Sequence, residues 1–188
     1  MTIAPIVPEA YRLTAEDWVR LADESRIVEI IDGEIFMAPA PAVRHQSVAK
    51  QLLVRLFHQV EEPGLGTVFF APIGLKLKDD VVLEPDLLVV LRHQADRIQE
   101  LFVEAADVVI EVLSPGTAGR DLGIKRERYE EAGIQEYWVV DPVACTVEVL
   151  ALVDGRFETR QVCQRNETLS SAVLSDLRID LCEVWDSV

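Results

Sequence analysis

What the chain lacks narrows the field first. No apolar run approaches the ~20 residues that cross a bilayer, and Met1-Thr2-Ile3-Ala4-Pro5 carries no basic region followed by an apolar core. A cytoplasmic protein without membrane contact is expected. Cys145, Cys163 and Cys182 are odd in number, widely spaced and without a Cys-x-x-Cys pair, so neither a disulfide framework nor a zinc site is indicated and reduced core residues are expected. Positive charge is scarce: 18 Lys and Arg stand against 33 Asp and Glu, a formal net charge of -15. Such a surface repels nucleic acid at long range, so any contact with phosphates must be local, weak or aided by metal ions. The chain also has no Gly-Lys-Ser/Thr phosphate loop, no His-Glu-x-x-His and no Gly-x-Ser-x-Gly elbow.

What is present is the balance of a folded protein, with 49% hydrophobic and 27% charged residues in 188. That length suits one domain, 1–188, with a sizeable core. Thr14-Ala15-Glu16-Asp17 opens a short peripheral helix carrying Trp18 and Leu21 on one face. Asp32-Gly33 sits between Ile27–Ile31 and Glu34–Met37, and Asp154-Gly155 between Thr146–Leu150 and Arg156–Thr159, each a hairpin signature. From Val43 to Val60 the residues Val48, Leu52, Leu56 and Val60 recur every four positions, the stripe of a long amphipathic helix. Strands follow at 67–70, 74–77 and 81–90, the last interrupted by Pro85, which cannot donate to a ladder. A short polar helix is expected near 94–102, a helix over 121–132 ending at Gly133, and a strand at 136–140. The segment 169–185 reads equally as strand or helix. Hairpins followed by strand, helix and strand give an α/β or mixed α+β class, a central mixed sheet flanked by helices.

The stretch Val108-Val109-Ile110-Glu111-Val112-Leu113 is apolar and β-branched enough to be a central strand buried on both faces. A carboxylate in such a strand costs several kcal/mol unless a cation or donor answers it. Lys125 is the candidate, because Leu122, Lys125, Tyr129 and Ala132 share one stripe of the following helix. Asp86, directly after Pro85, offers a second carboxylate from a neighbouring strand. Two converging carboxylates, with the carbonyl of Val112, supply the hard oxygen ligands that Mg²⁺ or Mn²⁺ prefers. A metal so held polarises a phosphoryl oxygen and acidifies a bound water, the minimum apparatus for phosphodiester hydrolysis.

Glu84-Pro85-Asp86, Ile110-Glu111-Val112-Leu113-Ser114-Pro115, Asp121 with Lys125 and Tyr129, Glu136-Tyr137-Trp138 and Asp141-Pro142 together resemble the Uma-type endonucleases, a bacterial family abundant in cyanobacteria within the PD-(D/E)XK restriction-endonuclease-like superfamily. The resemblance covers nearly the whole chain. It implies a restriction-endonuclease-like core with a four-stranded mixed sheet, flanking helices and additional hairpins, a divalent metal, and DNA cleavage. Pro85-Asp86 then matches the PD element and Glu111 the acid of the second element. The superfamily lysine belongs two residues after that acid, where this chain has Leu113. Lys125 takes its place from the helix, which a point charge on a flexible stem allows.

The expected catalytic residues are Asp86, Glu111 and Lys125, and the expected metal ligands Asp86, Glu111 and Val112. His45 and Glu34 are accessory candidates: His45 opens a helix and reads equally as a phosphate contact or a surface histidine, and Glu34 follows a hairpin turn where a solvated strand residue is the simpler reading. Asp121 reads as a helix N-cap, and Tyr129 and Trp138 as core. A homodimer is expected, since cutting a duplex takes two scissions, with the apolar segment ending at Trp185 as its contact. The rival reading is a nuclease-fold protein that no longer cuts and serves as a nucleic-acid-binding or interaction subunit.

Overall fold

The structure is a computed structural model that describes residues 12–22 and 27–186. Met1–Pro5, considered above for a leader, lie outside the described residues. Helix α1 (Ala15–Ala22) is started by Asp17, whose carboxylate accepts from both the backbone and the hydroxyl of Thr14 at 2.9 Å. Its Trp18 is buried and donates to the Val28 carbonyl at 2.6 Å. The helix therefore closes a small core of its own with Val28, Ile30 and Val82. Strands β1 (Ile27–Ile31) and β2 (Glu34–Ala38) form the expected hairpin. Asp32 and Gly33 both take positive φ, 54° and 80°, as the twist of a tight hairpin requires.

Helix α2 (Val43–Leu56) buries His45, Val48, Leu52 and Leu56 and continues through a π-helical turn, Phe57–Glu61. Strands β3 (Gly66–Phe70), β4 (Leu75–Lys78), β5 (Val81–Leu83), β6 (Leu87–Leu91) and β7 (Val108–Val112) follow. Helices α3 (Ala118–Arg120) and α4 (Arg126–Ala132) are joined by a π-helical turn, Asp121–Lys125, and α4 ends at Gly133 in the left-handed region. The chain closes with β8 (Glu136–Asp141), the hairpin β9 (Thr146–Val153) and β10 (Arg156–Cys163), the pair β11 (Thr168–Ser170) and β12 (Arg178–Asp180), and α5 (Leu181–Trp185).

The main sheet runs β10-β9-β8-β7-β6-β3 and is antiparallel except between β7 and β8, which the α3–α4 crossover makes parallel. A second, antiparallel sheet runs β2-β1-β5-β4. Strand alternation sends Val108, Ile110 and Val112 toward α2 and α5, where they meet Val48, Leu52, Leu56, Val184 and Trp185. Val109 points the other way, into a cluster that joins Tyr129 and Tyr137 to Ile31, Leu75 and Leu83 of the second sheet. Glu111 shares that face with Val109. Each fully buried Leu, Ile or Val contributes about 1.5–3 kcal/mol, and all five residues of β7 are buried, Glu111 among them.

Several expectations change. The resemblance implied four core strands, and the sheet has six because the β9–β10 hairpin extends it. The expected strand 81–90 is two strands in two different sheets, β5 and β6, and Glu84-Pro85-Asp86 is the passage between them. Pro85 sits where no ladder bond is made, which is why a proline is tolerated. The polar helix near 94–102 shrinks to a 3₁₀ segment, Arg92–Arg97. The ambiguous segment 169–185 is both kinds of structure, strands then helix, and Trp185 is 3% exposed in the main core. The apolar side chains of this segment, Leu181, Val184 and Trp185 among them, are spent on the chain's own core. Of the cysteines, all free, only Cys163 is buried. No helix among the described residues is long and apolar enough to cross a membrane.

Candidate active site

The passage from one sheet to the other brings Asp86 beside the end of β7. Its Oδ2 accepts the backbone N–H of Val112 at 2.8 Å and a hydrogen bond from His45 Nε2 at 3.1 Å. The first turn of α2 thus reaches the same carboxylate that β7 holds in place. Both partners fix the carboxyl plane, and His45 is 7% exposed. Its imidazole would be made less basic by burial, but the bond to Asp86 and that residue's charge outweigh this and raise its pKa.

Glu111 enters from β7 on the face toward α4, where Tyr129 donates to Oε1 at 2.7 Å and the ammonium of Lys125 contacts the same oxygen. Lys125 also lies 2.8 Å from Glu29 Oε1, on β1, and 3.6 Å from Asp121 Oδ1. One ammonium, 3% exposed, therefore joins three carboxylates from three elements. Asp121 and Lys125, four apart, share the inner face of the π-helical turn, whose wider winding turns Leu122 outward to 48% exposure. Glu29, on β1, and Glu84, just past the end of β5, are held by bonds from backbone N–H groups to their carboxylates, Val28 N–H to Glu84 Oε1 at 3.3 Å and Glu84 N–H to Glu29 Oε1 at 3.2 Å.

Glu29, Glu84, Asp86, Glu111, Asp121, Lys125 and His45 line one pocket of about 200 Å³, whose rim includes residues 38–42 and 114–117. Its electrostatics are lopsided: Glu29, Glu84, Asp86, Glu111 and Asp121 surround Lys125. Burial, above all, raises the pKa of Glu111 well above the carboxylate range, against the pull of Lys125, with the neighbouring acids adding to it. Burial likewise raises Asp121 and pushes Glu84 up to about 7. For Lys125 burial acts downward, but Glu111 and Glu29 prevail and hold it firmly cationic.

This donor set suits a hard divalent cation. Among the described residues no hydrogen bond falls on Asp86 Oδ1 or Glu111 Oε2, because the partners of both residues sit on the opposite oxygen. Glu84 Oε2 is buried without a hydrogen-bond partner among the described residues. No group of three or more His, Cys, Asp or Glu ligands is gathered among the described residues. Mg²⁺ does not need one: it keeps several waters and takes one or two carboxylates. An excess of buried carboxylates over cations is what such an ion relieves.

The structure brings Asp86, Glu111, Val112, Lys125 and His45 to one place and leaves Glu34 out of it. Glu34 is partly exposed, outside the pocket, while Glu29 of the partner strand lies inside. Asp121 is not an N-cap, since the helix begins at Ala118, and it is 2% exposed within the site. Tyr137 is fully buried and donates to the Asp121 carbonyl at 3.0 Å. Glu29 and Glu84 join the site without being among its expected residues. The local signal for Glu29 is an acid at the centre of Ile27-Val28-Glu29-Ile30-Ile31.

The family described as "Putative restriction endonuclease", Uma2, matches residues 15–182. No curated protein matches the chain. Among solved structures the chain is similar to a "putative nuclease belonging to DUF820" from Anabaena variabilis ATCC 29413, with a TM-score of 0.76 and 20% identity. The likeness covers 93% of this chain and 98% of the other, so the two share a fold over that span.

Proposed function

The chain belongs to the Uma2 family, and from that premise we propose that it is a Mg²⁺- or Mn²⁺-dependent endonuclease that hydrolyses DNA phosphodiester bonds with one PD-(D/E)XK-type site in one domain, 1–188. The observation that carries this reading is the meeting of Asp86, Glu111 and Lys125 in one acidic pocket, with Asp86 tied to the backbone of the residue after Glu111.

In this reading Asp86, Glu111 and the Val112 carbonyl would hold the ion. When bound, it supplies Lewis-acid polarisation of a phosphoryl oxygen and acidification of a water. The chain's own residues do the rest. His45 and the Val112 N–H orient Asp86, and Tyr129 orients Glu111, so that both carboxylates keep one oxygen turned to the pocket. Lys125 presents a permanent positive charge to the oxyanion that grows as the phosphorus gains its fifth oxygen. A site of this kind cuts one strand at a time, so double-strand cleavage calls for a homodimer.

One observation favours the rival, a nuclease fold that binds without cutting. Lys125 is already engaged by three carboxylates, in a chain whose net charge of -15 repels phosphate. Nicking of supercoiled plasmid with Mg²⁺ or Mn²⁺ separates the two. Cutting by the native chain and by none of Asp86→Ala, Glu111→Ala and Lys125→Ala supports the endonuclease. Intact plasmid, single-stranded DNA and RNA after exposure to a folded native chain would leave the binding module.

A further inference from the structure

A second concavity adjoins the acidic pocket and shares Pro41 and Asp86 with it. It runs between the first turns of α2 and the end of β3 and has a volume of about 460 Å³, within the range of small-ligand pockets. Its wall mixes two chemistries. Phe70, 59% exposed at the end of an edge strand, offers an open aromatic surface. Gln46, Ser47 and Lys50, along α2, offer donors. Lys50 is exposed and makes no ion pair among the described residues, in a chain where acids outnumber bases 33 to 18.

We infer that this groove takes an unpaired nucleotide adjoining the phosphate held in the acidic pocket, with its base stacked on Phe70 and its backbone met by Lys50, so that the substrate class is single-stranded nucleic acid. The inference deepens the nuclease reading and rests on it. A base inside a duplex has both faces covered by its neighbours, and only an unstacked base can lie on an aromatic ring. Charge argues the same way. A duplex gains affinity by many phosphate contacts along a basic surface, which a net charge of -15 opposes, whereas one stacked base and one lysine form a short contact that net repulsion does not forbid. Continuity through Asp86 sets the direction of the strand's path, from the groove into the acidic pocket. Cutting such a strand takes one scission and no second protomer.

The test is fluorescence anisotropy on a short labelled single strand of mixed sequence and on its blunt duplex, with Ca²⁺ in place of Mg²⁺, for the native chain, Phe70→Ala, Phe70→Trp and Lys50→Ala. The native chain should prefer the single strand by roughly ten-fold or more, Phe70→Ala should lose that preference, and Phe70→Trp should keep it. Lys50→Ala should reduce the salt slope by about one. Equal binding of strand and duplex, or an unchanged preference in a natively folded Phe70→Ala chain, overturns the inference. So does sedimentation showing that Phe70→Ala turns a dimer into a monomer, which would make the groove a contact between copies. Cleavage of the same probes in Mg²⁺ keeps the two readings apart. Asp86-dependent cutting with no role for Phe70 removes the groove and leaves the nuclease. A Phe70-dependent preference with no cutting removes the nuclease and leaves the groove as a single-strand site.

Discussion

The ammonium of Lys125 lies 2.8 Å from the carboxylate of Glu29, a residue of the second sheet, while touching Glu111 in the main one. The lysine is thus the charged link between the two sheets as well as the cation of the candidate site. Removing it leaves Glu29, Glu111 and Asp121 facing one another in a buried space. Breaking a buried ion pair from one side costs about 3–5 kcal/mol, so Lys125→Ala should lower the unfolding midpoint by roughly 10 °C. Calorimetry of the native and variant chains checks this, and a change below a degree or two would show that Lys125 has no such linking role.

The two parts of this arrangement were not equally legible. Glu111 and Asp86 stood out because a carboxylate in an apolar strand and one after a strand proline both violate local expectation, and Asp-Gly turns announced both hairpins through the positive φ they require. Glu29 did not, because an acid in a hairpin strand usually faces solvent. What buries it is the packing of the second sheet across the first, a long-range event with no local pattern. Asp121 was misread for a related reason. The helix starts three residues earlier than its capping chemistry suggests, and the π-helical turn then breaks the 3.6-residue stripe that placed Leu122 inside.

If Asp86 and Glu111 hold a divalent ion, Mg²⁺ should stabilise the folded chain by mass action, about 2.7 kcal/mol at a hundred-fold excess over the dissociation constant. Thermal unfolding with EDTA and with Mg²⁺ measures the rise. The double variant Asp86→Asn, Glu111→Gln should abolish it while keeping the shapes of both side chains. An equal rise in that variant would move the ion elsewhere on the acidic surface.

Tyr129 should act through Glu111 and not as an acid or base. Burial first, then the charge of Glu111, raise its phenol pKa well above the ordinary value, so it stays a neutral donor throughout the working pH range. Tyr129→Phe keeps the ring against Tyr137, 5.2 Å away between centroids, and removes only the 2.7 Å bond. The expected loss is about 1–2 kcal/mol of stability and a lower rate of nicking with an unchanged pH profile. A profile that moved with the substitution would give Tyr129 a proton-transfer role.

Away from the site, Glu130 joins helix α4 to strand β10. Its carboxylate accepts the Phe157 N–H at 2.8 Å and Arg156 Nη1 at 3.0 Å. Burial works to raise its pKa, but these donors outweigh it and hold the group below the ordinary carboxylate value. The folded pKa is therefore the lower one. A carboxylate of this kind contributes stability that is fully present above its unfolded pKa and is lost as the pH falls through its folded one. Urea unfolding should show Glu130→Gln destabilised by about 1–2 kcal/mol at pH 7, a loss typical of hydrogen bonds to a charged group. As the pH falls through that folded pKa the gap between native and variant should close, because the native carboxyl takes up its proton there. A gap that stays constant across that range would mean that the bonds to Arg156 and Phe157 do not depend on the charge of Glu130.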